Sequence, residues 1–480
     1  MTLNAELNLA AEQPPGMIQL STQRLSRQGH LESLYPELNF ATDLPRGRSD
    51  LQAHIVLGLG YGDEGKGSWV DHLVRKTGAA YVVRFNGGAQ AAHHVVTEDG
   101  LEHCFRHFGS GMFVPGTKTI LSRYVLIDPQ YLLAEAWELA AKGVAQPLER
   151  MLVSAEAPII TPFNRLLNQI IEIARSGNRH GSCGYGIGLT QRDVESLGEK
   201  ALYVRDLDSD SLKEKLHWLW QRRLSEAEPY LCEDNAALFE TLKAVDLDYY
   251  EQLYQHFYHR VTVLDEGDLL QLLSESSAIF EGAQGLMLDQ SYGTFPHCTR
   301  SNCTFENALD LLSACGFGGE VTRIGLLRGY ATRHGEGPLI TADADLNLSP
   351  CHNGTNPWQG RFRLGWFDTV AARYALATAG GVDLLALTNL DRMAGLEKVK
   401  IATAYSNADP RFFCDRGEML VHEKPGLDYL AARTAAMGRI VPQNIEMPYD
   451  LDGYLEKLEA ELNHPIGALS LSSDHRKTYR

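Results

Sequence analysis

Short apolar runs that end in glycine alternate with amphipathic stretches over most of this chain. His54-Ile55-Val56-Leu57 runs into glycines, which predicts a parallel-type strand buried on both faces. Gly65 to Arg75 follows with Trp69, Val70, Leu73 and Val74 on one face, the spacing of a helix. Tyr81 to Phe85 reads as a second strand, closed by Asn86-Gly87-Gly88. A strand–helix–strand unit implies a right-handed crossover and a parallel sheet. The alternation continues. Thr119 to Leu121 and Tyr124 to Ile127 read as strands, and Pro129 to Lys142 as a helix. Residues 207–275 are helix-rich, with Leu212, Leu216 and Leu219 sharing one face and Leu253 and Phe257 another. Later strands are Ala278 to Phe280, Val321 to Leu326 and Leu384 to Leu387. The fold class is therefore α/β, a large, mostly parallel central sheet with helix-rich insertions.

Residues 1–50 break the pattern. They hold Pro14-Pro15-Gly16 and several Gln, Asn and Ser without a sustained period. They are expected to form a poorly ordered extension, with residues 51–480 as one domain.

Charge and cysteine content narrow the function classes. The chain has 480 residues, 44 Lys and Arg against 61 Asp and Glu, and a net charge of −17. That balance opposes nonspecific binding to nucleic acid or anionic membrane, while leaving room for a local basic pocket. No apolar run approaches the roughly 18–20 residues of a membrane span. The N-terminus lacks the basic-then-apolar order of a secretory leader. Eight scattered cysteines without a CxxC pair suggest reduced thiols in a cytoplasmic protein. His256 and His259, three apart in a helical stretch, read as surface residues rather than metal ligands.

The most informative stretch is Gly58 to Ser68, GLGYGDEGKGS, between a buried strand and a helix. Small residues there let backbone N–H groups close on an anion at the helix N-terminus. Gly60-x-Gly62-x-x-Gly65 fits a dinucleotide fingerprint, and Gly60-x4-Gly65-Lys66 fits a phosphate loop. The dinucleotide reading expects a carboxylate at the end of the next strand, where Arg84-Phe85-Asn86 stands. The phosphate-loop reading explains Lys66 but finds Gly67 where Ser or Thr normally reaches a metal. Asp63 is the alternative metal ligand. A nucleoside-triphosphate loop accounts for more of these residues. A dinucleotide loop and a merely tight turn remain open.

Several ordered blocks carry a resemblance. Gly62-Asp63-Glu64-Gly65-Lys66-Gly67, followed by Arg84 to His93, resembles the GDEGKGK and GGHNAGHT segments of the adenylosuccinate synthetase family. Phe280 to Gly285, Leu288-Asp289, Gly293 to Pro296 and Thr299 to Asn302 look like its FEGAQG…LD…GTYPYVTSSN block. Thr332 to Pro338 looks like TRVGAGP, Gly365 to Asp368 like GWFD, and Thr388 to Asp391 like TKLD. The likeness runs over roughly residues 53–480. It implies a P-loop-like fold, a homodimer, Mg²⁺, and a GTP-dependent ligation of IMP with aspartate in purine biosynthesis.

The resemblance also assigns roles. Asp63 is the counterpart of the catalytic base and metal ligand, and His93 of the catalytic acid. The Ala92 carbonyl matches a second metal ligand. Gly62, Glu64, Gly65, Lys66, Gly67, Thr388, Asp391 and Ser472 match GTP-binding positions. Gln90, Cys183, Gln284 and Thr299 match positions that hold the purine monophosphate. Arg361 and Arg363 match the arginines that grip the amino-acid carboxylate, for which guanidinium forks are suited.

Departures gather at the substrate-grip positions. The family's TTGRxRRxGW is Trp358-Gln359-Gly360-Arg361-Phe362-Arg363-Leu364-Gly365-Trp366, without both threonines. Cys183 replaces a phosphate-binding Thr, Gln90 an Asn, and Asn389 the Lys of TKLD. Arg192 is the only arginine in Thr190 to Lys200, where a partner subunit's arginine is expected. These changes allow a different amine donor or purine acceptor, or a purine-nucleotide-binding protein without turnover. A family branch that acts on dGMP usually lacks the loop carboxylate, so Asp63 argues against that branch.

Overall fold

The computed structural model describes residues 50–348, 358, 360–414 and 417–471. The expected extension, apart from Asp50, lies outside the described residues, as does Ser472. Among the described residues no helix is long and apolar enough to cross a membrane.

The chain opens with β1 (Gln52–Gly58), α1 (Lys66–Thr77) and β2 (Tyr81–Arg84). A hairpin of β3 (His93–Val96) and β4 (Glu102–Phe105) precedes β5 (Lys118–Leu121), α2 (Pro129–Ala141) and β6 (Met151–Ser154). The helix-rich insertion then contains α3 (Pro162–Ala174), α4 (Ile187–Leu197), α5 (Leu212–Ala227), α6 (Ala236–Lys243) and α7 (Leu247–Arg260). Next come β7 (Thr262–Leu264), α8 (Glu266–Ser274), β8 (Ala278–Gly285), α9 (Glu306–Ala314) and β9 (Glu320–Arg328). A second hairpin, β10 (Ala331–His334) and β11 (Phe362–Gly365), leads to β12 (Phe367–Asp368), α10 (Thr369–Thr378) and β13 (Leu384–Thr388). The last elements are β14 (Lys398–Ser406), α11 (Leu427–Met437), β15 (Val441–Pro448), α12 (Leu451–Leu462) and β16 (Ala468–Leu469).

Nine strands form the central sheet in the order β16-β13-β9-β1-β8-β2-β5-β6-β7, and every pairing is parallel. β1 lies in the middle with Ile55, Val56 and Leu57 fully buried, as a strand covered on both faces requires. α1 packs back on the sheet through Trp69, Val70, Leu73 and Val74. It stops at Gly78, whose φ of 68° closes the helix with a bond from its N–H to the Val74 carbonyl. A second core lies in the insertion, where Leu212, Leu216, Leu219 and Phe257 are buried with α2 and α3.

Tyr124 to Ile127, expected as a strand, makes only isolated bridges through Leu126 and Ile127. A turn after β5, with the Val125 N–H on the Ser122 carbonyl, shortens the extended segment. Asp128 then caps α2 by accepting from the N–H groups of Gln130 and Tyr131, and Pro129 fixes its first turn. His256 and His259 lie on α7 as expected, with His259 paired to exposed Asp208 at 3.2 Å.

Topology places the functional residues. In a parallel sheet all carboxyl ends face one edge, and ligands bind there. The carboxyl ends of β1, β2, β8, β9 and β13, with the segments that follow them, therefore converge. They carry Asp63, the stretch Gln90 to His93, Gln284, Arg328 and Asn389 in turn.

Candidate active site

A cavity of about 650 Å³ opens at this edge. Its wall includes Gly62, Asp63, Gly65, Lys66, Gly67, Gln90, Ala92, His93, Cys183, Gln284, Thr299 and Thr388. The loop before α1 is shaped by left-handed residues. Gly62 has φ 92°, Asp63 φ 60° and Gly65 φ 79°. Asp is among the few side chains tolerated in that region. Gly285 permits the loop's close approach to β8, since a Cβ there would lie 2.2 Å from the Gly60 carbonyl oxygen.

Glu64 turns inward beneath the loop and is 1% exposed. Its Oε1 accepts from the N–H groups of Gly60 (3.1 Å) and Gly62 (2.7 Å), and its Oε2 from Lys66 Nζ (2.8 Å). The loop thus carries an internal anion that balances the buried Lys66 ammonium, as a charge removed from water requires. The Glu64 side chain borders a small neighbouring cavity instead of the large one. Thr388 donates from its hydroxyl to the Glu64 carbonyl at 2.9 Å, joining the end of β13 to the loop.

Asp63 is clamped on two sides. Arg328 Nη1 donates to its carbonyl at 2.9 Å, and His334 Nε2 lies 3.0 Å from its Oδ2. Burial pushes the Asp63 carboxyl up. The hydrogen bond and charge of His334, with Arg328 and Lys66, outweigh burial and leave it below the usual carboxylate range.

His93 sits in the densest polar cluster. Nδ1 is 2.5 Å from Glu281 Oε1 and Nε2 is 2.9 Å from the Ala283 carbonyl oxygen. Both ring nitrogens face acceptors. Burial holds the imidazole below its ordinary range, and the Glu281 carboxylate offsets that only in part. Burial likewise raises Glu281, but Arg84, His93 and Ser110 overcome it and hold the carboxyl at about 2. Ser110 contributes a hydroxyl bond to Oε1 and an N–H bond of 3.0 Å to Oε2.

Two glutamines point to a ligand. Both amide atoms of Gln90 and the Nε2 of Gln284 are buried with no hydrogen-bond partner among the described residues. Buried amides left in that condition are costly, and a ligand with donors and acceptors would satisfy them. Cys183 stands on the same wall as a neutral thiol, because burial pushes it up to about 11. Seven cysteines among the described residues are free thiols.

Besides Glu64, three expected residues among those described are absent from the cavity wall. Asp391 lies in the turn after β13 and pairs with its neighbour Arg392 at 3.4 Å. Arg363, half-buried on β11, donates through Nη2 to the Gly337 carbonyl at 2.8 Å. Arg361 is exposed just before β11. Arg192 does reach the wall, with Nη2 on Glu226 of its own chain at 2.6 Å.

The comparisons with known proteins agree with this layout. The family profile described as adenylosuccinate synthetase matches residues 55–479. This chain belongs to the adenylosuccinate synthetase family. An adenylosuccinate synthetase of Kineococcus radiotolerans is 31% identical over 448 residues, covering 89% of this chain and 98% of the relative. One from Nostoc punctiforme is 34% identical, covering 73% and 76%. Among solved structures, a fully ligated adenylosuccinate synthetase from Plasmodium falciparum superposes with a TM-score of 0.67 at 20% identity, covering 88% of this chain and 98% of that one. The succinoaminodeoxyadenylate synthetase of cyanophage S-2L, bound to dGMP and dATP, follows at 0.54 and 17%, covering 90% and 95%. At those identities the two structures show a shared fold.

Within this synthetase family frame, sequence reasoning gave no role to Glu281, Arg84, Ser110, Arg328 or His334. One signal was available. Arg84 and Glu281 are charges inside otherwise apolar strands, and buried charges need partners. The Ser110, Arg328 and His334 contacts join segments far apart in the chain and left no local trace.

Proposed function

We propose that the chain is a GTP-dependent ligase that joins IMP to the amine of L-aspartate, giving adenylosuccinate, GDP and phosphate. The observation that carries this reading is the convergence of Asp63, Lys66, the His93–Glu281 pair and two unsatisfied glutamine amides on one cavity. Residues 51–480 form the catalytic domain in this reading.

Hypoxanthine O6 is a poor leaving group until it is phosphorylated. Asp63 takes the N1 proton while O6 attacks the γ-phosphorus, and the bond from that phosphorus to the β,γ-bridging oxygen breaks to release GDP. His93, held at Nδ1 by Glu281, would release its Nε2 N–H from the Ala283 carbonyl to meet the charge that develops at O6 and the transferring phosphoryl group. Lys66 lies close enough to exchange part of its Glu64 contact for phosphate oxygens. Gln90 and Gln284 meet the purine nucleotide through their open amide groups, Cys183 and Thr299 line its phosphate end, and Asp391 accepts from guanine. The amine then adds at C6, phosphate departs with O6, and the amine proton passes to solvent.

A hard divalent cation fits the donor set. Asp63 and Ala92 both line the cavity, and a carboxylate and a carbonyl oxygen would be their ligands. Among the described residues no group of three or more His, Cys, Asp or Glu could hold a metal alone. Mg²⁺ commonly takes one or two carboxylates and completes its shell with phosphate and water. When bound, it would neutralise the phosphate charge of the nucleotide.

Aspartate as donor rests on Arg361 and Arg363, and a homodimer in the cytoplasm rests on the family relationship. The test is one incubation with Mg²⁺, GTP, IMP and aspartate, followed by mass spectrometry and phosphate release. Adenylosuccinate that vanishes in Asp63→Ala supports the reading. GTP binding without product contradicts it and sends the search to other amines and purine monophosphates.

A further inference from the structure

The contact between His334 and Asp63 has no counterpart in the motif this segment resembles. TRVGAGP places valine where this chain has His334. An apolar side chain there could make no hydrogen bond to the loop carboxylate.

The geometry around the ring is specific. His334 Nδ1 is buried without a partner among the described residues, while Nε2 is 3.0 Å from Asp63 Oδ2. The Nδ1 side offers no acceptor, so the tautomer that satisfies the contact carries its proton on Nε2 and donates it to the carboxylate. The ring packs on Phe362, with centroids 4.8 Å apart. Phe362 is also its partner in the β10–β11 ladder. One register position away, Arg333 faces Arg363 across the same ladder. The Gly335 N–H bonds the Arg361 carbonyl at 2.9 Å. Arg333, 2% exposed, fastens this hairpin to the cavity floor. It donates to the carbonyls of Pro338 (2.8 Å) and His297 (2.6 Å) and to Thr294 Oγ1 (2.9 Å), and its guanidinium lies over Tyr61 at 4.4 Å. Tyr61 belongs to the same loop as Asp63.

We propose that His334 is a positioning residue for the Asp63 base, holding its carboxylate toward the purine and tying that orientation to the hairpin that carries Arg361 and Arg363. The inference rests on the proposed ligase reading. A carboxylate on one rotatable bond samples several orientations, and a donor on Oδ2 removes most of them. The hairpin that meets the amine donor therefore also fixes the base used in the preceding step.

The test compares wild type, His334→Val and His334→Gln. Valine restores the motif residue, and glutamine keeps an N–H donor near the position of Nε2. A positioning role lowers kcat by about 10–100-fold in His334→Val with KM for GTP within about twofold. Glutamine recovers most of that loss. Unchanged kcat in His334→Val overturns the proposal. So does an equal loss in both variants accompanied by a fall in Tm, which marks a structural role. A second readout needs no turnover. The ¹⁵N resonance of His334 Nε2 should shift in Asp63→Asn, and an unmoved resonance also overturns the contact. Wild-type protein that makes no adenylosuccinate while this resonance still responds would count against the ligase reading and leave the pairing standing.

Discussion

The ends of the parallel strands and the β10–β11 hairpin both contribute to one cavity, by different means. On the strand side, the charged groups Glu281 and Lys66 are buried and paired. Glu281 takes contacts from His93, Ser110 and Arg84, and Lys66 is fixed by Glu64. On the hairpin side, Arg361 is exposed, and Arg363 has one carbonyl contact, at 2.8 Å, among the described residues. Chemistry that is the same for every substrate needs the first kind of site. Recognition of one amine among many can sit on the second, where a substitution disturbs fewer neighbours. Departures from the family motifs fall on the second side, on the Cys183 loop and at Gln90 and Asn389 of the first, while Asp63, Lys66, His93 and Gln284 keep their family identities.

The strongest way to break this comparison is at the base. Asp63→Ala should lower kcat by about 1,000-fold, the middle of the range for a positioned acid or base, with Tm within about 2 °C. A fall of tenfold or less would move the base elsewhere. Next comes the buried pair. Glu281→Gln leaves His93 and Arg84 without their anion and should cost about 3 kcal/mol of stability and much of kcat. The sign with pH follows from its depressed folded value. Glu281 contributes stability that is present above 4.5 and lost as pH falls toward about 2. The Gln variant should flatten that part of a Tm–pH curve.

Arg363→Ala sharpens the contrast. It should raise KM for the amine donor by about 10–100-fold, the worth of one charge-assisted contact, while leaving KM for GTP unchanged. An equal rise for GTP would merge the two sides into one unit. The smallest effect belongs to the sheet itself. His54 on β1 is 1% exposed with neither ring nitrogen partnered among the described residues, and burial, with help from Lys76, lowers it from 6.5 to about 4. It is folded as the neutral ring, so its share of stability is full above 6.5 and declines as pH falls toward about 4. His54→Leu should remove that decline in a Tm series between those limits.

What the sequence disclosed follows the same division. β1, α1, β2, β8, β9 and β13 were legible, because apolar runs ending in glycine are local signals of buried parallel strands. So was the loop that carries Asp63 and Lys66. Tyr124 to Ile127 was misread, since its apolar run fills space between Gly88 and Ile159 through bridges without extending a strand. Glu64 looked like a ligand-facing loop residue. Its inward turn depends on the N–H groups of Gly60 and Gly62, a matter of loop geometry. Asp391 and the two hairpin arginines were recognised by motif, and their distance from the cavity wall depends on long connections that leave no periodic signal. Ser472 falls outside the described residues.

The strand-end groups perform the first chemical step without the hairpin arginines Arg361 and Arg363, and the hairpin enters that step only through the His334 contact to Asp63. The direct measurement is positional isotope exchange in GTP labelled with ¹⁸O at the β,γ-bridge, with IMP and Mg²⁺ but no amine. Reversible phosphoryl transfer to O6 should scramble the label from bridging to non-bridging positions. Scrambling should persist in Arg363→Ala and disappear in Asp63→Ala. A wild-type protein that binds both nucleotides and leaves the label in place would contradict the account.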